Sequence, residues 1–371
     1  MITVVFGTRP ELIKIAPLIH KLKTLKIRFT LINTGQHKEM LVPLEKWFGL
    51  EPDYKLDIMQ SGQTLNQIIH KSILALSDLF EKIRPSIVLV QGDTTTAFTA
   101  ALAAFNLKLK VGHVEAGLRT GNLYNPFPEE ANRRLISQVA TFHFAPTNLN
   151  RDNLIANGID PKAIHITGNT VIDALNYTVS KVGHSTGIIK NKILIERLEE
   201  NNGRVIAITG HRRENIGEGF ENIFKAISIL AEKYPNDLFI YPVHPNPLVK
   251  NAAEELLSDH DNILLLPPLD YPEFVALMTD SYLIISDSGG VQEEAPSLGI
   301  PVLVTRKTTE RVEAVESGTV KLVGTEYEQI VQEASHLMDD QKAYERMSSV
   351  ANPYGDGHAS EKIVEVIIDL N

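Results

Sequence analysis

The stretch ITVVFGTRPELIKIAPLIHKLK, residues 2–23, indicates the fold class of this chain. A β-branched run at residues 2–6 predicts a strand, Gly7 permits a tight exit from it, and Pro10 suits the first turn of a helix. Residues 11–23 then place leucine and isoleucine at helical spacing. Further strand-like runs occupy residues 27–33, 86–90 and 110–114, and residues 65–82 have a helical period. This alternation predicts βαβ units and a parallel sheet.

The same pattern starts again in the second half of the chain. Strand candidates there are residues 204–209, 238–241, 262–266, 282–286 and 301–305. Because these apolar runs fit strands that are buried on both faces, we predict an α/β chain with two Rossmann-like, doubly wound parallel-sheet domains. Ligands of such sheets bind beyond the carboxyl ends of the strands, so the topology predicts a ligand in a central cleft that the two domains face.

The expected domains are residues 1–170, residues 171–352 and a C-terminal segment at residues 353–371. The least patterned stretch is residues 180–191, near the expected boundary. A helix predicted at residues 360–370 can pack on either half, including the N-terminal domain.

Composition excludes several classes of protein. The chain has 371 residues, no cysteine and a formal net charge of −10. Disulfides and thiolate chemistry are therefore excluded, and the acidic balance disfavours a nucleic-acid binder. No apolar run approaches the roughly 18 residues of a membrane span, and the first residues do not resemble a signal peptide. We expect a cytoplasmic protein whose partners include neither nucleic acid nor a membrane.

Polar residues follow the predicted strands of the first half. Arg9 lies at an expected helix N-terminus, where backbone amides and a guanidinium suit an anion; a surface arginine beside a turn is the alternative. Asp93 follows the third strand in the sequence GDTTT, where a helix N-cap explains one residue of the polar group but not all of it.

Two further carboxylates stand out in the same half. Strand alternation predicts that His113 and Glu115 share one face, and a carboxylate that ends a buried strand needs a partner or a function. An ion pair between Glu115 and Arg119 is the structural alternative. Glu129 opens a predicted helix, where the helix dipole alone favours an acidic residue.

The second half carries two candidate anion sites. His211 follows a strand together with two arginines, in the sequence GHRREN. Ser288, Gly289 and Gly290 begin a helix with free amides, an arrangement that commonly binds a diphosphate. Glu294 lies further along that helix and can accept hydrogen bonds from ribose hydroxyls.

Several motifs are absent. No strand is followed by GxGxxG, so the dinucleotide fingerprint is missing, and there is no P-loop. The sequence HVE at residues 113–115 matches half of a zinc deaminase signature, but its cysteine partners do not exist here. We therefore expect no cofactor and no metal.

Eight sequence strings together identify a family resemblance. In order they are GTRPELIK, GDTTT, GHVEAGLRT, PFPEEANRR, GHRREN, SDSGGVQEEAPSLG, TTER and NPYGDG. In this combination the chain closely resembles the non-hydrolysing UDP-N-acetylglucosamine 2-epimerases. The resemblance implies a GT-B-like fold and reversible C2 epimerisation of UDP-N-acetylglucosamine (UDP-GlcNAc) to UDP-N-acetylmannosamine (UDP-ManNAc). The implied route eliminates UDP, forms 2-acetamidoglucal and adds UDP back.

The resemblance also implies roles for individual residues. The residues expected to hold UDP are Ser288, Gly289, Gly290, Glu294 and Arg311. The residues expected to contact the diphosphate and sugar are Arg9, Lys14 and His211, the last also counted as catalytic. The expected acid/base carboxylates are Asp93, Glu115 and Glu129, without an assignment of which one removes the C2 proton.

A possible regulatory site is implied as well. Many bacterial relatives bind a second UDP-GlcNAc as an activator, and the loop carrying Gln36 and His37 is present here. Glu39 and Gly62, however, replace the glutamine and arginine of activated relatives.

The resemblance further implies a homodimer and a role in surface polysaccharide biosynthesis. The alternatives are a 2-epimerase of a modified UDP-amino sugar and a hydrolysing epimerase that releases UDP and N-acetylmannosamine. A glycosyltransferase and a non-catalytic nucleotide-sugar binding module are more distant alternatives.

Overall fold

The computed structural model of this chain describes residues 1–60, 62–182 and 189–369, apart from the side chains at positions 38, 39 and 213. The chain forms two compact units. The first contains Met1–Ala174 and Tyr354–Asn371, and the second contains Leu175–Pro353. Part of the unpatterned stretch of the sequence, residues 183–188, lies outside the described residues.

The first unit is built from strands that alternate with helices. Its strands are β1 (Ile2–Phe6), β2 (Phe29–Asn33), β3 (Tyr54–Lys55), β4 (Ile87–Gln91), β5 (Lys110–Val114), β6 (Phe142–Ala145) and β7 (Ile164–Ile166). The helices are α1 (Arg9–Thr24), α2 (Lys38–Phe48), α3 (Leu65–Ile83), α4 (Thr95–Asn106), α5 (Glu129–Val139), α6 (Asn148–Ala156) and α7 (Thr170–Val182), which runs into the second unit.

The second unit repeats this arrangement. Its strands are β8 (Val205–Thr209), β9 (Leu238–Pro242), β10 (Ile263–Leu266), β11 (Leu283–Ser286), β12 (Val302–Val304) and β13 (Val320–Leu322). The helices are α8 (Lys192–Glu200), α9 (Glu218–Lys233), α10 (Pro247–Leu257), α11 (Tyr271–Thr279), α12 (Gly289–Glu294), α13 (Val312–Ser317), α14 (Tyr327–Asp339) and α15 (Gln341–Ser348). The last helix of the chain, α16 (Ala359–Asp369), belongs to the first unit.

Each unit contains one parallel sheet. The described strands of the first unit have the order β3-β2-β1-β4-β5-β6-β7, and those of the second have the order β10-β9-β8-β11-β12-β13. Every position of β1 and β4 is buried, as expected for strands with helices on both faces. The predicted fold class, two Rossmann-like parallel-sheet domains, is confirmed.

Small side chains allow α4 to pack closely on the sheet of the first unit. Ala97, Ala100 and Ala104 are fully buried and belong to the same cluster as Val88 and Val90 of β4. The core of the second unit depends instead on aromatic rings of α9 and β9. Phe220, Phe224 and Tyr241 pack in succession, with ring centroids 5.5 and 5.6 Å apart.

The C-terminal helix packs against α1 of the first unit. Lys21 of α1 forms an ion pair with Glu361. At the start of α16, the Asp173 carboxylate accepts hydrogen bonds from the backbone N–H groups of Ala359 and Ser360 at 3.2 and 2.8 Å. Among the described residues, none of the helices combines the length and the apolar character needed to cross a bilayer.

Candidate functional site

In the first unit the candidate residues lie where neighbouring parallel strands end. Arg9, Asp93 and Glu115 follow β1, β4 and β5, which are adjacent in the sheet. Because parallel strands end at the same edge, the fold brings these three residues to one side of the unit. Arg9 is the first residue of α1, as the sequence predicts, and its side chain is exposed.

Glu115 is held by three donors. Lys14 Nζ lies 2.5 Å from Glu115 Oε1, Asn169 Nδ2 donates to the same oxygen at 3.3 Å, and Gln91 Nε2 donates to Oε2. The carboxylate is 9% exposed. The fold therefore couples two predicted site residues, Lys14 and Glu115, as an ion pair that is largely removed from solvent.

Neither the strand-alternation argument for Glu115 nor the alternative of an ion pair with Arg119 holds in the structure. Strand β5 ends at Val114, and Glu115 has a left-handed backbone with φ of 64°, so strand alternation does not determine its direction. Arg119 is also not its partner, because that guanidinium donates to Asn157 Oδ1, Ser137 Oγ and a backbone carbonyl.

The turn that carries Asp93 is fixed from several sides. Arg133 donates to Asp93 Oδ2 through Nε at 2.8 Å and approaches the same oxygen through Nη2 at 2.7 Å. Asn132 Nδ2 donates to the Asp93 backbone carbonyl at 2.8 Å. Within the described part of the chain Asp93 Oδ1 accepts no hydrogen bond, and the side chain is 25% exposed. One carboxylate oxygen of Asp93 is thus positioned by Arg133, whereas the other is not engaged by the described residues.

His113 supports the same turn and is not exposed to a ligand. Its Nε2 lies 2.7 Å from the Gly92 carbonyl, so this nitrogen carries the proton. Burial lowers the pKa of His113 to about 4, and the ring is neutral at physiological pH. We therefore interpret His113 as a structural residue.

The two glutamates at the start of α5 have different surroundings. Glu130 is fully buried and accepts hydrogen bonds from the Thr120 N–H at 3.0 Å, Arg134 Nε at 3.0 Å and Arg133 Nη1 at 3.3 Å. Burial raises the pKa of Glu130, but these bonds outweigh that effect and hold the pKa below its ordinary value. Glu129 is half-buried and forms no hydrogen bond or ion pair among the described residues.

Gln36 and His37, the candidate regulatory residues, lie beside the Arg9 turn. The His37 N–H donates to the Gly7 carbonyl at 2.8 Å, and Gln36 Oε1 accepts a hydrogen bond from Thr96 Oγ1 at 2.8 Å. Partial loss of solvent and the charge of Arg9 lower the pKa of His37. A ligand at Arg9 is therefore close to the loop that carries both residues.

In the second unit, His211 is oriented by a buried aspartate. Asp287 Oδ1 lies 3.2 Å from His211 Nδ1, and the Asp287 carboxylate also accepts the backbone N–H groups of His211 and Arg212 at 2.9 to 3.1 Å. Asn215 Nδ2 donates to Asp287 Oδ2 at 3.1 Å. The imidazole remains 44% exposed. Such a pair orients the ring, as an anion-binding or acid/base histidine requires.

The predicted diphosphate loop follows β11. Ser288 is the N-cap of α12, and its N–H donates to Ser286 Oγ at 3.0 Å. The Arg311 guanidinium lies against Gly289: a Cβ added there would be 2.9 Å from Arg311 Cζ. Any larger residue would displace the arginine, so glycine is required for this close approach.

Arg311 and Glu294 are each held by neighbouring side chains. Arg311 donates to Glu293 Oε1 at 3.0 Å and to Glu310 Oε1 at 2.5 Å. Burial raises the pKa of Glu310, but the charges of Arg311 and Arg306 outweigh it and lower the pKa to about 2. Glu294 Oε1 accepts a hydrogen bond from the Tyr271 hydroxyl at 2.9 Å, and its other carboxylate oxygen, Oε2, lies beside Gly290.

Sequence reasoning missed residues that hold the candidate side chains. Asp287 and Gln91 lie within or next to the quoted strings, and burial of a polar residue at a strand end is the signal that could have found them. No local signal points to Asn169 or Tyr271. In the described part of the chain no group of three or more histidine, aspartate or glutamate side chains is suited to a metal ion.

Comparisons with known proteins give a consistent result. Residues 20–368 match the family described as UDP-N-acetylglucosamine 2-epimerase. The UDP-N-acetylglucosamine 2-epimerase of Campylobacter jejuni is 50% identical over 372 residues, which cover 99% of this chain and 97% of that protein. The crystal structure of the Neisseria meningitidis UDP-GlcNAc 2-epimerase bound to UDP-GlcNAc has a TM-score of 0.89 at 48% identity and covers 99% of both chains. The Methanocaldococcus jannaschii enzyme in complex with UDP-GlcNAc and UDP has a TM-score of 0.81 at 32% identity, again covering 99% of both chains.

Proposed function

The chain belongs to the UDP-N-acetylglucosamine 2-epimerase family, and we propose that it interconverts UDP-GlcNAc and UDP-ManNAc by eliminating UDP and adding it back. An epimerase is an isomerase, and this reaction is non-hydrolysing: the sugar is linked to UDP at its beginning and at its end. A homodimer and a cytoplasmic location stay predictions.

The chemistry of C2 explains why elimination is needed. The C2 hydrogen of an N-acetylhexosamine is not α to a carbonyl, so simple removal and return of the proton is too slow. In the proposed route a carboxylate takes the C2 proton, a C1=C2 double bond forms, and the C1–O bond breaks with its electron pair leaving on UDP. UDP then adds back to C1 through a terminal oxygen of its β-phosphate, and a carboxylic acid delivers a proton to the opposite face of C2.

The second unit supplies the groups that bind UDP. Ser288 is the N-cap of α12, Gly289 and Gly290 form its first turn, and Arg311 is fixed by two carboxylates beside them. These donors suit the diphosphate, and they also stabilise the negative charge that grows on it as the C1–O bond breaks. Glu294 is placed to accept hydrogen bonds from ribose hydroxyls.

His211 has a second role in the proposed reaction. Asp287 holds its ring in place, and a negatively charged phosphate is a suitable partner for a protonated imidazole. A protonated His211 stabilises the departing phosphate oxygen, as Arg9 and Lys14 do from the first unit.

The carboxylates of the first unit divide the proton chemistry. Asp93 has one oxygen that accepts no hydrogen bond from the described residues, and Glu129 has two. We assign proton removal and proton return to this pair. Glu115 is already bonded to Lys14, Gln91 and Asn169, so its main role is to hold Lys14 toward the phosphate. The proposal rests on this observation: Glu115 has three hydrogen-bond partners, whereas Asp93 and Glu129 have carboxylate oxygens that accept no hydrogen bond from the described residues.

Incubation of the purified protein with UDP-GlcNAc tests the function. We expect proton NMR of the anomeric signals to show a stable mixture with UDP-ManNAc, while the amount of sugar-linked UDP remains constant. Free UDP in step with free N-acetylmannosamine would indicate a hydrolysing epimerase instead. An unchanged UDP-GlcNAc signal would reject this substrate, and turnover of a modified UDP-amino sugar alone would assign the second alternative.

A further inference from the structure

Glu11 is a buried carboxylate that the proposed reaction does not use. It lies on α1, two residues after Arg9, and its exposure is 0%. One oxygen, Oε2, accepts hydrogen bonds from the backbone N–H groups of Gly7 at 3.0 Å and Thr8 at 2.7 Å. The other oxygen, Oε1, accepts the hydroxyl proton of Thr94 at 2.6 Å. Within the described part of the chain no lysine or arginine pairs with it.

The bond to Thr94 has no role in capping α1. A glutamate three residues into a helix often accepts the N–H of the N-cap residue, and Glu11 does this for Thr8. Thr94, however, is separated from Glu11 by 83 positions and begins a different helix, α4. Capping also does not require full burial, which is unfavourable for a carboxylate that has no cation partner.

All three partners of Glu11 are donors, which explains why a carboxylate occupies this position. Thr94 Oγ1 already accepts the Ala97 N–H at 3.0 Å, so its own proton is directed at Glu11. A glutamine keeps an acceptor for the two backbone N–H groups but turns an NH₂ group toward the Thr94 hydroxyl. Burial raises the pKa of Glu11 to about 7, while the hydrogen bonds oppose that rise.

The three bonds join two turns of the proposed active site. Thr8 directly precedes Arg9, which we expect on the diphosphate, and Thr94 directly follows Asp93, which we expect in proton transfer. We propose that Glu11 is a positioning residue: its carboxylate holds the Arg9 turn and the Asp93 turn at a fixed separation, so that diphosphate departure and proton transfer occur on one correctly placed sugar. This inference rests on the proposed function and adds to it a residue that does not touch the substrate.

Two substitutions break the same link from opposite ends. Glu11→Gln removes the acceptor for the Thr94 proton, and Thr94→Val removes the hydroxyl. Each variant is expected to lower kcat about tenfold, because small misplacement of reacting groups is costly in rate. KM is expected to change less than threefold, since the groups of the second unit still bind UDP. Thr94→Ser keeps the hydroxyl and is expected to retain kcat within about twofold.

The double variant separates a link from two independent effects. If Glu11 and Thr94 act through one bond, Glu11→Gln combined with Thr94→Val has the kcat of either single variant. Asp340→Asn is the matched control, because Asp340 also accepts two backbone N–H groups at a helix start, those of Lys342 and Ala343, and has no such link. Its kcat is expected to equal that of the wild type.

The outcomes also distinguish this inference from the proposed function. A wild-type protein that does not epimerise UDP-GlcNAc would overturn the proposed function. An active wild type whose Glu11→Gln variant is folded, by circular dichroism, and has unchanged kcat would overturn the positioning role alone. Losses of kcat that multiply in the double variant would likewise show that Glu11 acts only as a cap.

Discussion

Glu129 and Glu130 are adjacent in the sequence and share the first turn of α5, yet the structure gives them different surroundings. Glu130 is bound by a backbone N–H and two arginines, whereas Glu129 accepts no hydrogen bond from the described residues. The sequence predicts an acidic first turn but does not distinguish its two members. The difference arises because residues 120, 133 and 134 donate hydrogen bonds to Glu130 and not to Glu129. Glutamine substitutions therefore separate their roles.

Glu129→Gln is expected to lower kcat by about 10²- to 10⁴-fold, the range for loss of a general acid or base. Its free energy of unfolding is expected to stay within about 0.5 kcal/mol of the wild type, because no internal bond is lost. Glu130→Gln is expected to lower the free energy of unfolding by roughly 2 kcal/mol, because it removes the charge of a buried carboxylate that accepts a backbone N–H and two guanidinium groups. Steady-state kinetics and urea unfolding of both variants check this pair, and the reverse pattern would exchange the two roles.

His211 is a second case in which activity and stability are expected to separate. Its imidazole is 44% exposed, and the buried Asp287 keeps its bonds to the backbone N–H groups when the ring is removed. We expect His211→Ala to reduce kcat by at least about 10²-fold, with a melting temperature close to that of the wild type. Near-normal turnover of the folded variant would remove His211 from the reaction.

For Glu115, the sequence predicted that the carboxylate needs a partner or a function, but not the geometry in which it is held. A carboxylate at the end of a buried strand does have a partner here, but Glu115 has left the strand and its partners are Lys14, Gln91 and Asn169. Neither the left-handed φ nor a contact with residue 169 can be inferred from strand alternation. The type of residue was informative, whereas its direction depended on distant parts of the chain.

At the scale of elements, the strand pattern predicts the central strands better than those at the sheet edges. β1, β4, β5 and β8 to β12 are found within one or two residues of their predicted limits. The pattern missed β3, β6, β7 and β13. Three of them have only two or three residues, and β6 (Phe142–Ala145) carries a buried histidine that interrupts its apolar run. Their pairing in the sheet, not their local sequence, makes them strands.

The pair of β5 and β6 leads to a prediction about acid stability. His113 and His143 are opposite each other in these strands, and burial lowers their pKa values to about 4 and about 3. Below the ordinary value of 6.5 the unfolded chain binds protons that the folded chain does not, so these residues reduce stability as pH falls. Each contributes a slope of about 1.4 kcal/mol per pH unit.

Urea unfolding at pH 6.0 and 5.0 measures this effect. The free energy of unfolding of the wild type is expected to fall more steeply than that of the double variant His113→Gln, His143→Gln. His70→Gln is the control, because His70 is exposed on α3 and its loss is expected to leave the slope unchanged. Parallel slopes for the wild type and the double variant would show that the buried rings are not neutral.

At the scale of the whole molecule, the repeated βαβ pattern is sufficient to predict two parallel sheets. Among the described strands, consecutive strands are neighbours except at β3 and β4 in the first sheet and at β10 and β11 in the second, and parallel pairing brings their carboxyl ends to one edge. Candidate residues were therefore recognisable by position in each half. Side-chain partners across tens of residues, such as Glu11 with Thr94 or Asp287 with His211, depend on packing that no local pattern encodes.

The proposed epimerisation depends on reversible loss of the C2 proton together with UDP. The most direct measurement is proton NMR of UDP-GlcNAc incubated with the protein in D₂O. We expect that UDP-ManNAc appears, that deuterium replaces hydrogen at C2 in both nucleotide sugars, and that UDP remains sugar-linked. An epimer that forms with its C2 hydrogen retained, or a substrate that stays protiated and unchanged, would contradict the proposed mechanism.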